Sequence, residues 1–502
     1  MSAHHCWWQA VTSSFGSSVS TGLAGLRDRC PARPRRVRYG EWLATVLIIG
    51  VAIVTVAPPL AADSRAIRGP VSIPTSWPDG TDTCSFENVE GIVLVRAQCS
   101  STAGVDTVGP FVLDTGAGFL ALDGDLAYRL GLESHAGSDS IRFAAHPLPR
   151  LQIGRWVRDQ VQPVLIFDAE VARRVTDRPV LGLVGEQLVA DRIVWIDYQA
   201  GRLAFIPSTA AREPARDIAD SRAALGSTLG ERAAPIRFRL LGDGKIVVRA
   251  SVTRSSGARP LTLILDTGST KTVLFADSLM TLAPRSRRWK AIAGVSAPTL
   301  FGDAGARMAR VPWMRIEDAR DPHEAEPGAG LASAATTSAP SATTSVSPGA
   351  TAELEDTDAA LLDGELERVL AADIGEPVHG LLGYSFLRHY RVAIDLPRRV
   401  LWLDPRADDA DERPFEYCHV GVQLERRGAE VVVAGVLDGS PAARAGIRVG
   451  DVLVALDGIL AAPRDVIETT RALEGPPGTR VMLTLRRGEV EREYRLTRKR
   501  LL

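Results

Sequence analysis

Along most of the chain, short apolar runs alternate with polar breaks rich in glycine. The runs at 91–97, 109–113, 151–153, 161–167, 193–196 and 202–206 have the length and the β-branched content of strands. The stretch 125–132 has helical spacing instead. A polar segment over 208–234 follows, and then the pattern returns. Ile92-Val93-Leu94-Val95-Arg96-Ala97 is matched by Ile246-Val247-Val248-Arg249-Ala250. Val112-Leu113-Asp114-Thr115-Gly116-Ala117 is matched by Ile264-Leu265-Asp266-Thr267-Gly268-Ser269. Pro179-Val180-Leu181-Gly182-Leu183-Val184-Gly185 is matched by Pro377-Val378-His379-Gly380-Leu381-Leu382-Gly383, and the match runs on without a gap to Pro207 and Pro405. An internal repeat of this kind predicts two copies of one β-rich lobe, at 84–207 and 236–405, joined by a linker at 208–235.

The second copy is longer between its motifs. The excess is a run of Ala, Ser, Thr, Pro and Gly with interspersed acids, from about 317 to 363. Such a composition cannot bury enough apolar surface to fold and predicts a disordered insertion. A third block, 415–500, has strand-like runs at 420–424, 431–436, 452–456, 481–486 and 491–496, a helical stretch at 465–473, and turn signals such as Asp438-Gly439-Ser440-Pro441. At the other end, residues 42–62 carry no charge and follow a basic segment, 1–41, whose second half holds Arg27, Arg29, Arg33, Arg35, Arg36 and Arg38. This pattern predicts a transmembrane anchor or a signal segment. The basic side stays in the cytoplasm, and everything after a Pro/Ser/Gly-rich linker at 63–83 lies outside it. The expected location is the cell envelope, anchored in the inner membrane or exported after cleavage.

The 502 residues have a formal net charge of -1, so no basic field points to nucleic acid. The Cys and His residues show no zinc-type spacing and no His-Glu-x-x-His motif, and no metal or cofactor is expected. Cys84 and Cys99 flank a strand-like run and are either a disulfide or two buried thiols. The Gly-x-Ser-x-Gly elbow of serine hydrolases is absent around Ser385.

The candidate chemistry lies in the repeated Asp-Thr-Gly. One copy alone reads as readily as a polar turn after a strand. Two copies at matching places suggest a pair of carboxylates. Two carboxylates close together in a low-dielectric cleft cannot both ionise, so they share one proton. The ionised partner can take a proton from water while the protonated partner donates to a peptide carbonyl. Asp197 and Asp395 repeat as well, but each ends an apolar strand before a basic turn and reads as structural.

The Leu-Asp-Thr-Gly-Ala/Ser strings, the helix after the first of them and Gly380-Leu381-Leu382-Gly383-Tyr384-Ser385-Phe386-Leu387 resemble the retropepsin-like aspartic proteases. The resemblance implies a mainly β fold with two acid-protease-like lobes, each a β-barrel, and catalytic roles for Asp114 and Asp266. It also implies dyad support from Thr115, Gly116, Thr267 and Gly268, and polypeptide substrates. It implies a β-hairpin flap in each lobe, for which 293–302 and 142–151 are the candidates.

The string Val431-Val432-Val433-Ala434-Gly435-Val436-Leu437-Asp438-Gly439-Ser440-Pro441, continuing to Leu453, resembles a bacterial-type PDZ domain, a small α+β fold. That resemblance implies binding of peptide C-termini as an added strand. The carboxylate nest would be Tyr417, Cys418, His419, Val420, Gly421 and Val422. The peptide would lie between the strand starting at Val422 and the helix at 465–473. A non-enzymatic envelope adaptor that recruits protein C-termini is the alternative function.

Overall fold

The computed structural model describes residue 74, residues 76–502 apart from 102, 135–140, 209–217, 242–243, 256–257, 300–301, 320–351 and 407–413. The basic segment and the apolar run at 42–62 lie outside the described residues. Among those described, no helix is long and apolar enough to cross a membrane.

The repeat is visible in the sheets. In the first lobe, Gly182–Gly185 runs parallel to Asp106–Asp114 and antiparallel to Leu120–Asp123. In the second, Gly380–Leu382 runs parallel to Leu261–Leu265 and antiparallel to Thr272–Phe275. The matched glycines explain why the motif recurs. A Cβ on Gly182 would stand 2.3 Å from the carbonyl oxygen of Ala121, and one on Gly380 2.0 Å from that of Val273. Neither strand could wedge between its neighbours with a side chain at that point.

A third sheet joins the lobes. Its centre is Arg192–Asp197 against Tyr390–Asp395, with Ile193 opposite Asp395 and Ile196 opposite Val392. Each strand has its own hairpin mate, Arg202–Pro207 and Val400–Pro405. Asp82–Ser85 and Ala234–Arg237 complete the six-stranded order among the described residues. Ile193-Val194-Trp195-Ile196 is buried on both faces, which accounts for its continuous apolar run. Asp197 and Asp395 close the hairpin turns. Asp197 accepts the amides of Gln199 and Ala200, and Asp395 accepts from Arg398 and from the Ser221 hydroxyl.

Several expectations are corrected. The insertion does not run to 363. Ala352–Leu362 is a strand, parallel to Thr272–Phe275 and antiparallel to Gly302–Glu317. Its acids make its average composition loop-like, but Ala359-Ala360-Leu361-Leu362 are buried and Asp358 is ion-paired. Residues 320–351 lie outside the described residues. The segment expected as a plain linker at 208–235 holds a helix, Ile218–Leu225, that buries Leu225 beside Trp195 and Trp402. Residues 142–151 do not form a flap hairpin. Arg142–Phe143 pairs with Val164–Phe167, whereas Leu148–Ile153 pairs with Ile92–Ser100 and Trp156–Val161. Of the two readings open for Cys84 and Cys99, the structure has the free thiols, and burial pushes them up to about 11 and about 12.

The C-terminal module is a sheet of Val422–Arg427, Glu430–Val436, Val452–Leu456, Arg480–Arg487 and Val490–Thr497 in that order, with the helix Val466–Arg471 packed on it. Val422, Leu424, Val431, Val433, Leu453 and Leu483 form its core. Val422–Arg427 is an edge strand, and its free side is the place where an added strand can pair. The module is not a loose appendage. The hairpin of Ala291–Thr299 and Gly302–Glu317, which contains the other candidate flap, is docked on it. Asp438 donates its amide to Ala293 at 3.0 Å, and the Gln423 side chain closes a pair of hydrogen bonds with the backbone of Ser296.

Candidate active site

Asp114 ends the strand Asp106–Asp114, and Asp266 directly follows the strand Leu261–Leu265. Both are fully buried and meet at the junction of the lobes. What joins them is a reciprocal set of bonds between the two threonines. The Thr115 hydroxyl accepts the Thr267 amide at 3.1 Å and donates to the Leu265 carbonyl at 2.8 Å. The Thr267 hydroxyl accepts the Thr115 amide at 3.1 Å and donates to the Leu113 carbonyl at 2.8 Å. The two aspartates therefore approach across a local twofold axis. Each turn is completed by its glycine, whose amide donates to the Oδ1 of its own aspartate, at 2.8 Å from Gly116 and 2.9 Å from Gly268. Glycine is required by space here. A Cβ on Gly116 would lie 3.0 Å from the Asp266 carboxyl carbon, and one on Gly268 2.8 Å from that of Asp114.

With the Oδ1 atoms held by amides, the Oδ2 atoms of Asp114 and Asp266 are buried with no hydrogen-bond partner. These are the atoms left to meet water and substrate once the site opens. Burial pushes Asp114 up to about 6, against the pull of the Gly116 amide, of Asp266 and of the Lys245 cation. Burial and then the negative charge of Asp114 lift Asp266 well above the usual carboxylate range, opposed by the Gly268 amide and Lys245. The pair therefore gives up one proton at moderately acid pH and keeps the other, which the two carboxyls share.

Two residues that the repeat pattern did not single out shape this site. Lys245 is fully buried and acts electrostatically on both aspartates. By the sheet register its counterpart in the first lobe is Ile92, and Gly91 corresponds to Gly244. The halves have thus diverged around a symmetric centre: Gly91 lies against the Tyr384 ring, while Gly244, next to Lys245, lies against the Glu186 carboxylate. Glu186 and Tyr384 themselves occupy matching places after Gly185 and Gly383. The second residue is Lys271, on the loop leaving Asp266. It is buried, 2.8 Å from Asp358 and 2.5 Å from Glu416. Arg388 pairs with the other oxygen of Glu416 at 3.0 Å. Tyr417 donates to Asp358 at 2.6 Å. Burial acts to raise Asp358, but Lys271 and Arg388 hold it below the usual carboxylate range. Glu416 and Tyr417 are the root of the C-terminal module, so a neutral cluster of two cations and two anions ties that root to the loop carrying Asp266. The only sequence signal was a charged residue at the head of the apolar strand Thr272–Phe275.

The expected nest of the C-terminal module is only partly assembled as a nest. Tyr417 faces the second lobe. Cys418–His419 is a short strand paired with Lys499–Arg500. Val420 is buried, and its carbonyl accepts from Ala442. Gly421, at φ +89, sits against Ser440 and gives its amide to His419 Nδ1 at 3.1 Å. Val422 opens the edge strand.

Comparison with known proteins bears mainly on this last module. A PDZ domain family model matches residues 432–487. A probable CtpA-like serine protease of Staphylococcus aureus is 28% identical over 86 residues, 17% of this chain and 17% of that protein. One of Staphylococcus haemolyticus is 26% identical over 83 residues, 16% of this chain and 17% of that protein. Among solved structures, the photosystem II D1 C-terminal processing protease matches at 30% identity over 17% of this chain and 24% of its own, with a TM-score of 0.17. Basic 7S globulin from soybean matches at 10% identity over 64% of this chain and 94% of its own, with a TM-score of 0.32. The chain thus spans about a sixth of the length of the curated relatives it matches, and it carries a C-terminal PDZ domain.

Proposed function

We propose that this protein is an aspartic-type endopeptidase in which Asp114 and Asp266 activate water for attack on a peptide bond. The observation that carries the reading is the reciprocal Thr115–Thr267 lock, which brings one carboxyl from each lobe into a buried pair that shares a proton. In this reading, a water held between the free Oδ2 atoms loses a proton to ionised Asp114, and its oxygen bonds to the scissile carbonyl carbon. Asp266 donates its proton to the carbonyl oxygen. As the resulting gem-diol collapses, one of its hydroxyls returns a proton to Asp266, the C–N bond breaks, and the proton held by Asp114 passes to the leaving amine. Water is activated by carboxylates alone. The substrates are polypeptides. Asp114 and Asp266 are fully shut off from solvent in this conformation, so a substrate must part the lobes or their cover first. The PDZ domain binds peptide C-termini in this reading, along the free edge of Val422–Arg427.

Hydrolysis of an unfolded protein by the wild type and by Asp114→Asn and Asp266→Asn, measured from acid to neutral pH, tests the proposal. Each substitution alone abolishes cleavage, and full activity in either one overturns the shared dyad. The burial of the pair favours one other reading, a non-catalytic adaptor that recruits protein C-termini. That reading requires no cleavage at any pH together with peptide binding. We also place the protein in the cell envelope, tethered or exported through residues 42–62. Fractionation, with protease added to intact cells lacking an outer barrier, checks that placement. Recovery in the soluble cytoplasm overturns it.

A further inference from the structure

A peptide pairing with the edge strand Val422–Arg427 starts at the Gly421 end and leaves between Arg426 and the first turn of the helix Val466–Arg471. In this structure that exit is filled by the first lobe. The helix Glu170–Thr176 ends at Asp177, in left-handed conformation, and the Asp177 carboxylate spans both walls of the groove. Its Oδ1 accepts from Arg426 Nε at 2.6 Å on the strand side. Its Oδ2 accepts from Arg426 Nη2 at 3.1 Å and from the Val466 amide at 2.9 Å on the helix side. The rest of the first lobe reinforces this closure. Arg174 lies 3.6 Å from Glu425 on the strand. Arg178 lies 2.6 Å from Asp465, the residue capping the helix. Ile467 of the helix is buried in the first lobe beside Ala172 and Val175. At the far end of the helix, Arg471 pairs with Glu90 at 2.9 Å. The space left between Arg174, Val175, Ser296, Gln423 and Glu425 is about 20 Å³, room for a water and not for a strand.

We infer that the Asp177 end of this helix is an internal competitor for the PDZ groove, and that a polypeptide C-terminus entering the groove expels it and loosens the closure of the two lobes over Asp114 and Asp266. The inference rests on the proposed peptide-binding and peptidase readings. The PDZ domain is held by the second lobe through Lys271 and the Ser296 hairpin, and by the first lobe through Asp177, Ile467 and Glu90. It therefore bridges both halves of the site. Expelling Asp177 removes the first-lobe half of that bridge and leaves the other in place. The expelled group is a carboxylate held by a guanidinium that also donates to the Ala462 and Arg464 carbonyls. The displacing peptides accordingly carry an acidic side chain a few residues before their own C-terminus, where it meets Arg426.

The test uses the full chain and Asp177→Asn, which keeps a residue suited to left-handed backbone and removes the charge. Fluorescent decapeptides with an apolar C-terminal residue, with or without an upstream Glu, and free or amidated at the C-terminus, are titrated by anisotropy. Hydrogen exchange of residues 170–177 is followed in the wild type with and without peptide. Release of the internal competitor tightens binding of the free-carboxylate peptides by about five-fold or more, because the occupied fraction of the groove no longer reduces the apparent affinity. Peptide also speeds exchange at 170–177 and raises hydrolysis of an unfolded protein. Equal affinity in both proteins with unchanged exchange overturns the inference and leaves peptide binding intact. Binding to neither protein overturns it together with the PDZ reading. Binding and faster exchange without any hydrolysis support the competitor and overturn its coupling to catalysis along with the peptidase reading.

Discussion

Thr115 and Thr267 each satisfy the other's backbone amide with a hydroxyl, and each returns a proton donor to the carbonyl of the residue before the other's aspartate. The four bonds are buried at the junction of the lobes, so neither threonine has water to fall back on. Thr267→Val removes two of them while keeping the shape, and leaves the Thr115 amide and the Leu113 carbonyl unpaired. At about 1–3 kcal/mol for each stranded group, the expected loss is about 2–6 kcal/mol. Chemical denaturation reads it, and Thr267→Ser, which keeps the hydroxyl, restores both stability and cleavage.

The raised pKa values set a pH dependence of stability. Both carboxyls titrate higher in the folded protein than in the unfolded chain, so the fold binds protons more tightly. Their contribution to stability is fully present below the ordinary aspartate range, near about 4. It is lost as pH rises through about 6 for Asp114, and further as pH rises toward the higher value of Asp266. Asp266→Asn mimics the protonated side chain. Its melting temperature exceeds that of the wild type at pH 8, and the difference shrinks at pH 4. A constant difference at the two pH values contradicts this assignment.

The same titration shapes the rate. The singly protonated pair forms as Asp114 loses its proton, so kcat/KM rises through about pH 6 and falls again where the raised Asp266 gives up the second proton. Lys245 pulls both aspartates down. Lys245→Met therefore moves the acid limb of the profile to higher pH. An unmoved limb removes Lys245 from the electrostatics of the site.

Lys271 stands between two buried anions, Asp358 and Glu416. Lys271→Met takes the nearer cation from both and leaves Arg388, with the Tyr417 hydroxyl on Asp358, to offset two buried anions, and the expected cost is about 3–5 kcal/mol. Deleting residues 415–502 has a related effect, because it removes Glu416 and Tyr417 and uncovers Ile292 and Leu241, which pack against Tyr417 and Leu437. The truncated protein therefore melts below the full chain, measured by calorimetry on both, and is not an intact pair of lobes with a domain trimmed away.

The sequence made the centre of the site legible and its surroundings much less so. Asp114 and Asp266 stood out because a repeat places the same three residues twice after an apolar strand, and the repeat also placed Gly182 and Gly380. The strand Ala352–Leu362 was hidden because its acids, averaged with the neighbouring Ala/Ser/Thr run, outweigh its buried Ala359-Ala360-Leu361-Leu362. Lys271 was missed because its partner Glu416 is 145 residues away and belongs to another composition block. The clasp at Asp177 was unreadable for the same reason. A single aspartate at the end of a short helix carries no mark of the Arg426 that it meets 249 residues later.

The ion cluster at the root of the PDZ domain also bears on the order of events during synthesis. A nascent chain that has emerged as far as Pro405 has the strands of both lobes and both aspartates. It still has no Glu416 to balance the buried Lys271. The loop behind Asp266 gains its second anion only when Glu416 has followed, so its settling is tied to a segment beyond both lobes.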